Sequence, residues 1–202
     1  MKVAVANLKG GTSKTTSAFF LAAALARRGK TLLVDCDPQG SVLSWAESAE
    51  EDGGSLGFSV MGLPTRDVHR KLKGFEGDYE HVVLDTPPGE LAIARSALLA
   101  ADVALVAVQP TAVDLDRLMP TLELIAEVEP INDLTFFVLL ARVRRISREG
   151  RDARAAMEAM GLPVMQTEVP QLGFYSDAFG EVVGEELGEY DRVARELLEE
   201  EA

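Results

Sequence analysis

The sequence predicts an α/β fold, a mainly parallel twisted sheet flanked by helices in a three-layer α/β/α arrangement. Three observations predict it. Short apolar runs recur along the chain, several are apolar at consecutive positions as in strands buried on both faces, and the segments between them carry helical spacing. Strands that alternate with helices build crossover units, and such units make a parallel sheet covered on both sides.

Taken in order, the expected strands are Val3 to Ala6, Thr31 to Val34, His81 to Leu84, Val103 to Val108, Thr135 to Ala141 and Pro163 to Thr167, each bounded by polar or turn residues. Between and after them the spacing predicts helices over Lys14 to Arg28, Gln39 to Ala49, Thr65 to Leu72, Glu90 to Ala100, Ala112 to Val128, Arg148 to Met160 and Glu189 to Glu200. Gly29 and Gly161 stand where helix C-caps belong, each with a strand soon after. The acidic, glycine-bearing stretch Glu50 to Gly57 reads as a surface loop, and no internal boundary divides residues 1–202, which are expected to form one domain.

Composition narrows the function. Of the 202 residues, 47% are hydrophobic and 26% charged, the balance of a folded globular chain. The net charge of -13 repels nucleic acid and anionic membrane, so contact with either needs a local patch. A single cysteine, Cys36, excludes an internal disulfide and disfavours a thiolate metal site within one chain. The apolar start stops at Asn7, too soon for a secretory core, and no run approaches the roughly 18 apolar residues of a membrane span. A cytoplasmic protein is expected.

Three segments carry chemistry, each at the end of an expected strand. The first, "LKGGTSKTT" from Leu8 to Thr16, joins a strand to a helix, where free backbone N–H groups and the helix dipole favour an anion. Gly10 and Gly11 let the backbone wrap a phosphate, Lys14 would reach the terminal phosphates, and the Thr15 hydroxyl suits magnesium. Against GxxxxGK[ST], however, Leu8 and Ser13 replace both glycines, and a Gly-Gly turn entering a helix also accounts for the loop alone. The second segment, Val34 to Gln39, sends out Asp35 and Asp37, two carboxylates on one side of a strand end. One could orient water and the other hold magnesium's hydration shell. The third, His81 to Gly89, ends its apolar strand in Asp85, the position from which an acid holds magnesium beside a phosphate loop. Three strand ends agreeing on one chemistry point to a P-loop NTPase.

These residues resemble the ParA/MinD family of deviant Walker A ATPases, whose loop reads KGGxGK[ST]T and whose next strands lead into VDxDPQ and a terminal aspartate. Lys9-Gly10-Gly11-Thr12-Ser13-Lys14-Thr15-Thr16, Val34 to Gln39 and Val82 to Asp85 match, with Ser13 the one departure from the loop pattern. The resemblance implies ATP and magnesium and a dimer that sandwiches two nucleotides. It makes Lys9 the signature lysine that crosses to the partner's phosphates, Lys14 the in-cis phosphate lysine, Thr15 a magnesium ligand, Asp37 the water-activating acid and Asp85 the metal acid, with Asp35 supporting. Gly10, Gly11, Thr12, Ser13 and Thr16 complete the nucleotide loop. Further along, Val169-Pro170-Gln171 and Tyr175 to Gly180 resemble the stretch near adenine and the dimer face, so Arg142, Pro170 and Gln171 are expected on the adenine side.

Within that family the sequence favours a short plasmid-partition ParA. Cys36 cannot serve an iron-protein cluster, the acidic ending Arg195 to Ala202 lacks a basic membrane helix, and the phosphate loop begins too early for a preceding helix-turn-helix domain. Such a protein would segregate DNA with a centromere-binding, ParB- or ParG-like adaptor that stimulates a slow ATPase. It would bind DNA without sequence preference and sit on the nucleoid when loaded with ATP. The run Arg142 to Arg154 supplies candidate contacts, Arg144, Arg145, Arg148, Arg151 and Arg154. Two alternatives stay open: a related ATPase that positions a protein cargo without binding DNA, and an ATP-dependent ligase of the dethiobiotin-synthetase kind.

Overall fold

The computed structural model describes the chain except residues 52, 76, 145–147, 185 and 201–202, and leaves aside the side chains of 112, 113 and 148–150. The described strands are β1 (Lys2–Ala6), β2 (Thr31–Asp35), β3 (Ser59–Gly62), β4 (His81–Asp85), β5 (Val103–Val108), β6 (Thr135–Val143) and β7 (Val169–Pro170). They form a single seven-stranded sheet in the order β3-β2-β4-β1-β5-β6-β7, with every pairing parallel. The helices are α1 (Lys14–Ala26), α2 (Ser41–Glu51), α3 (Val68–Lys71), α4 (Leu91–Leu98), α5 (Ala112–Asp116), α6 (Met119–Asn132), α7 (Arg148–Ala159), α8 (Gly173–Asp177) and α9 (Tyr190–Glu200).

Alternation along β1 explains the three layers. Val3 and Val5 pack on one face with α1, Trp45 of α2 and α9, whereas Ala4 and Ala6 pack on the other with residues of α3, α4 and α6. Both faces are buried, so consecutive residues must be apolar, which is why these strands read as continuous runs. Helix α1 lies deepest, with Ala18 to Ala22 and Ala24 to Leu25 at 0% exposure and Phe19 stacked on Trp45 at 4.1 Å. Trp45 is therefore a core residue.

Several elements depart from expectation for identifiable reasons. The expected helix Ala112 to Val128 is broken into α5 and α6, because Pro120 cannot donate to the carbonyl of Asp116 and its ring crowds it. Pro163 to Thr167 is not a full strand: Val164 makes one bridge to Val138, through the Pro163 carbonyl and the Met165 amide, and the amides that follow, of Gln166 and Thr167, donate to the Glu196 carboxylate of α9 instead. The expected helix Thr65 to Leu72 begins only at Val68 and tightens into a 3-10 turn over Leu72–Phe75. Gly161 has the positive φ of a helix terminator, 76°. Gly29 does not; a side chain there would press on the Glu80 carboxyl group at 2.8 Å, so close approach explains that glycine.

Candidate functional site

The carboxyl ends of β1, β2 and β4 converge, and the loop after β1 is fastened there by side chains from the far half of the chain. Asn7 donates to the Ala107 carbonyl at 2.8 Å and accepts from the Lys9 amide at 2.9 Å. The Leu8 amide donates to Thr121 Oγ1, and Gln109 Nε2 donates to the Gly11 carbonyl at 2.7 Å. Gly11 takes φ 76° and Ser13 takes φ 69°, so the loop turns through two left-handed residues before entering α1. Ser13 occupies the N-cap position without a side-chain cap bond. Its positive φ answers the question raised by its replacement of glycine: the backbone keeps the glycine conformation.

Lys14 is buried, and its ammonium donates to the Lys9 carbonyl at 3.0 Å, across the mouth of the loop. Burial pulls its pKa below the ordinary lysine value, while the Asp85 and Asp37 carboxylates act in the opposite direction. Lys9 turns the other way. Its ammonium pairs with the Asp114 carboxylate on α5, and Asp114 is only 5% exposed. Asp114 also bonds the Thr111 hydroxyl at the cap of that helix.

The three aspartates hold different environments. Asp35 and Asp85 are register partners on adjacent strands, and both are buried. Asp35 accepts from the amides of Asp37 at 3.0 Å, Val42 at 2.9 Å and Leu43 at 3.1 Å, so it fastens the first turn of α2 to the end of β2. Burial raises its pKa and those three donors oppose the rise. Asp37 is half-buried and accepts from the Gln39 amide at 2.9 Å.

Asp85 is the acid whose surroundings ask for a further group. Its Oδ2 accepts from Thr15 Oγ1 at 2.7 Å, while its Oδ1 is buried with no partner among the described residues. Burial pushes its pKa up to about 7, against the opposing bond from Thr15. A buried carboxylate oxygen lacking a donor, beside a hydroxyl at the start of a phosphate-loop helix, fits a hard, oxygen-ligated cation. Thr15 and Asp85 could hold magnesium there. The Cys36 thiol beside these acids is pushed up by burial and by Asp85, Asp35 and Asp37, so it stays protonated and inert.

Beyond the loop lies a cavity of about 540 Å³, a volume typical of small-molecule sites. Gly11, Ser13 and Thr16 line one side, and Arg142, Pro170 and Gln171 line the other. The structure thus brings the expected adenine-side residues to the phosphate loop. Arg142 sits at a bulge of β6 with φ 57°. Tyr175 and Tyr190 complete the wall, and Tyr190 shares a 2.8 Å hydroxyl contact with Ser17 of α1.

The arginine run is not one uniform patch. Arg154 is bonded to Glu168 at 2.7 Å, Glu158 at 3.3 Å and the Met165 carbonyl at 2.8 Å, so its charge is used within the fold and it is removed from the candidate DNA contacts. Arg144 and Arg151 are exposed, Arg144 bonding Gln171 at 3.0 Å. Arg145 and the side chain of Arg148 lie outside the described residues. Reading the sequence missed Asp114, Gln109 and Thr121, which reach the loop from distant segments and belong to no local motif. Tyr175 lies within the stretch expected near adenine and the dimer face, whereas Tyr190, at the start of α9, belongs to no local motif.

The family description "CobQ/CobB/MinD/ParA nucleotide binding domain" matches residues 3–181. The chain is 32% identical to Maintenance of carboxysome distribution protein A of Halothiobacillus neapolitanus, across 90% of this chain and 84% of that protein. To the protein of the same name from Gloeobacter kilaueensis it is 35% identical, across 96% and 93%. Among solved structures, apo McdA from Cyanothece superposes with a TM-score of 0.80 at 20% identity, covering 98% of each chain, a likeness of fold. The chain belongs to the CobQ/CobB/MinD/ParA family of nucleotide-binding domains.

Proposed function

We propose that this ATPase positions a large protein assembly within the cell, pairing two copies around ATP and taking its cue from an adaptor protein on that cargo. The observation that carries this reading is the near full-length likeness to two proteins named for the maintenance of carboxysome distribution. It is preferred to the DNA-partition role that the sequence suggested, and the internal use of Arg154 weakens the DNA patch on which that role leaned. DNA segregation remains the second reading because Arg144 and Arg151 are exposed in an otherwise acidic chain.

In the proposed cycle the loop amides from Gly10 to Thr16 cradle the phosphates, Lys14 releases the Lys9 carbonyl to meet them, and Thr15 with Asp85 would hold magnesium. When bound, magnesium neutralises charge on the phosphate oxygens. Asp37 orients the attacking water and accepts its proton, and Arg142, Pro170 and Gln171 bracket the base. Lys9 leaves Asp114 and reaches the phosphates of the second copy. Gene deletion in the host tests the role: the proposal expects protein bodies that cluster or lose their spacing while plasmids are retained. Evenly spaced bodies together with plasmid loss would select the second reading.

A further inference from the structure

On the side of α8 away from the nucleotide cavity lies a second groove of about 390 Å³. Its floor is apolar, formed by Phe20, Phe174, Ala178 and Val182, and its rim carries Asp177, Glu181 and Glu186, all exposed. Phe174 keeps 37% of its surface exposed although it packs edge-on against Phe20 at 5.6 Å. Among the described residues, the Arg27 guanidinium reaches the edge of the groove, donating to the Gly184 carbonyl at 3.4 Å. The carboxylates outnumber it. An apolar floor inside an acidic rim rejects anionic lipid and nucleic acid and suits a segment with one apolar and one cationic face.

The groove is also wired to the nucleotide site. Phe20 belongs to α1, the helix that begins at Lys14, and Gly173, Tyr175 and Ser176 of α8 line the nucleotide cavity while Phe174 and Asp177 line the groove. Tyr175 fixes the far side, accepting from the Glu189 amide at 2.9 Å. A ligand that shifts α8 would therefore move a wall of the nucleotide cavity.

We infer that this groove is the docking site for a basic amphipathic segment of a partner protein, and that its occupation is sensed at the nucleotide through α8 and Phe20. The inference rests on the positioning reading only for the existence of such a partner. The probe is a fluorescein-labelled synthetic peptide of Leu, Ala and Lys with one apolar and one cationic helical face, followed by anisotropy. The wild-type chain is expected to bind it, and a scrambled peptide of the same composition to bind far more weakly. Reversing the rim with Asp177→Lys, Glu181→Lys and Glu186→Lys should weaken binding at least tenfold, whereas reversing three exposed acids of α6, Glu123→Lys, Glu127→Lys and Glu129→Lys, should change it less than threefold. Phe174→Ser, checked for folding by its melting curve, should weaken binding without altering the charge. Equal losses from the two reversals, or no preference for the amphipathic peptide, overturn the inference. ATP turnover measured on the same samples without peptide keeps that failure separate from a failure of the ATPase reading.

Discussion

Ser13 holds a left-handed conformation, φ 69°, in which the Cβ of an L-residue crowds the following carbonyl at a cost of about 1–2 kcal/mol. Its hydroxyl makes no cap bond in return. Ser13→Gly is therefore expected to raise the melting temperature by about 2–4 °C for each kcal/mol released while ATP affinity persists; a lowered melting temperature would show that the side chain contributes more than its strain costs. Asp85 carries a pH signature. Its folded pKa, about 7, lies above the ordinary carboxyl value, so its contribution to stability is full at low pH and is lost as pH rises through 7. In the nucleotide-free protein, Asp85→Asn should gain more in melting temperature at about pH 8 than at about pH 5, and should lose the tightening of ATP binding by magnesium. An equal gain at both pH values would mean that the carboxylate is not strained by ionisation.

At the scale of elements, Asp35 is the point where β2 and α2 are joined. Three backbone donors converge on it, and Asp35→Ala leaves them buried or half-buried without an acceptor, which should cost about 2–4 kcal/mol in urea unfolding. A loss below 1 kcal/mol would show that α2 is held by Trp45 and its neighbours alone. This scale also explains what could be read in advance. Strands β1, β2, β4 and β5 are buried on both faces, so their apolar runs stood out, and the loop and strand-end acids followed from residues adjacent in sequence. Strand β3 escaped notice because it is a four-residue edge strand, half exposed and short of apolar residues. Pro163 to Thr167 looked like a strand because propensity cannot foresee Glu196 taking two of its amides. Asp114 and Thr121 were illegible for the same reason: they meet Lys9 and Leu8 across separations of 105 and 113 residues.

At the scale of the molecule, the sheet order brings the ends of β2, β4, β1 and β5 side by side, so one edge gathers the loop, the acids and the helix α5 that holds Lys9. In the proposed dimer the Lys9–Asp114 pair is a competitor: to reach a second copy's phosphates, Lys9 would first have to leave a buried carboxylate. Light scattering with ATP in an Asp37→Ala background is expected to show a dimer, Lys9→Ala to remain monomeric, and Asp114→Asn to dimerise at lower ATP concentration. A Lys9→Ala chain that pairs as readily as its parent would remove the lysine from the interface. The central claim, that residues 8–16 with Asp37 and Asp85 form one ATP site, is tested most directly by calorimetric titration of magnesium–ATP into the wild-type, Lys14→Ala and Asp37→Ala chains, followed by phosphate release. The account predicts binding abolished in Lys14→Ala, and binding retained with turnover reduced at least a hundredfold in Asp37→Ala. Undiminished ATP binding by Lys14→Ala would contradict it.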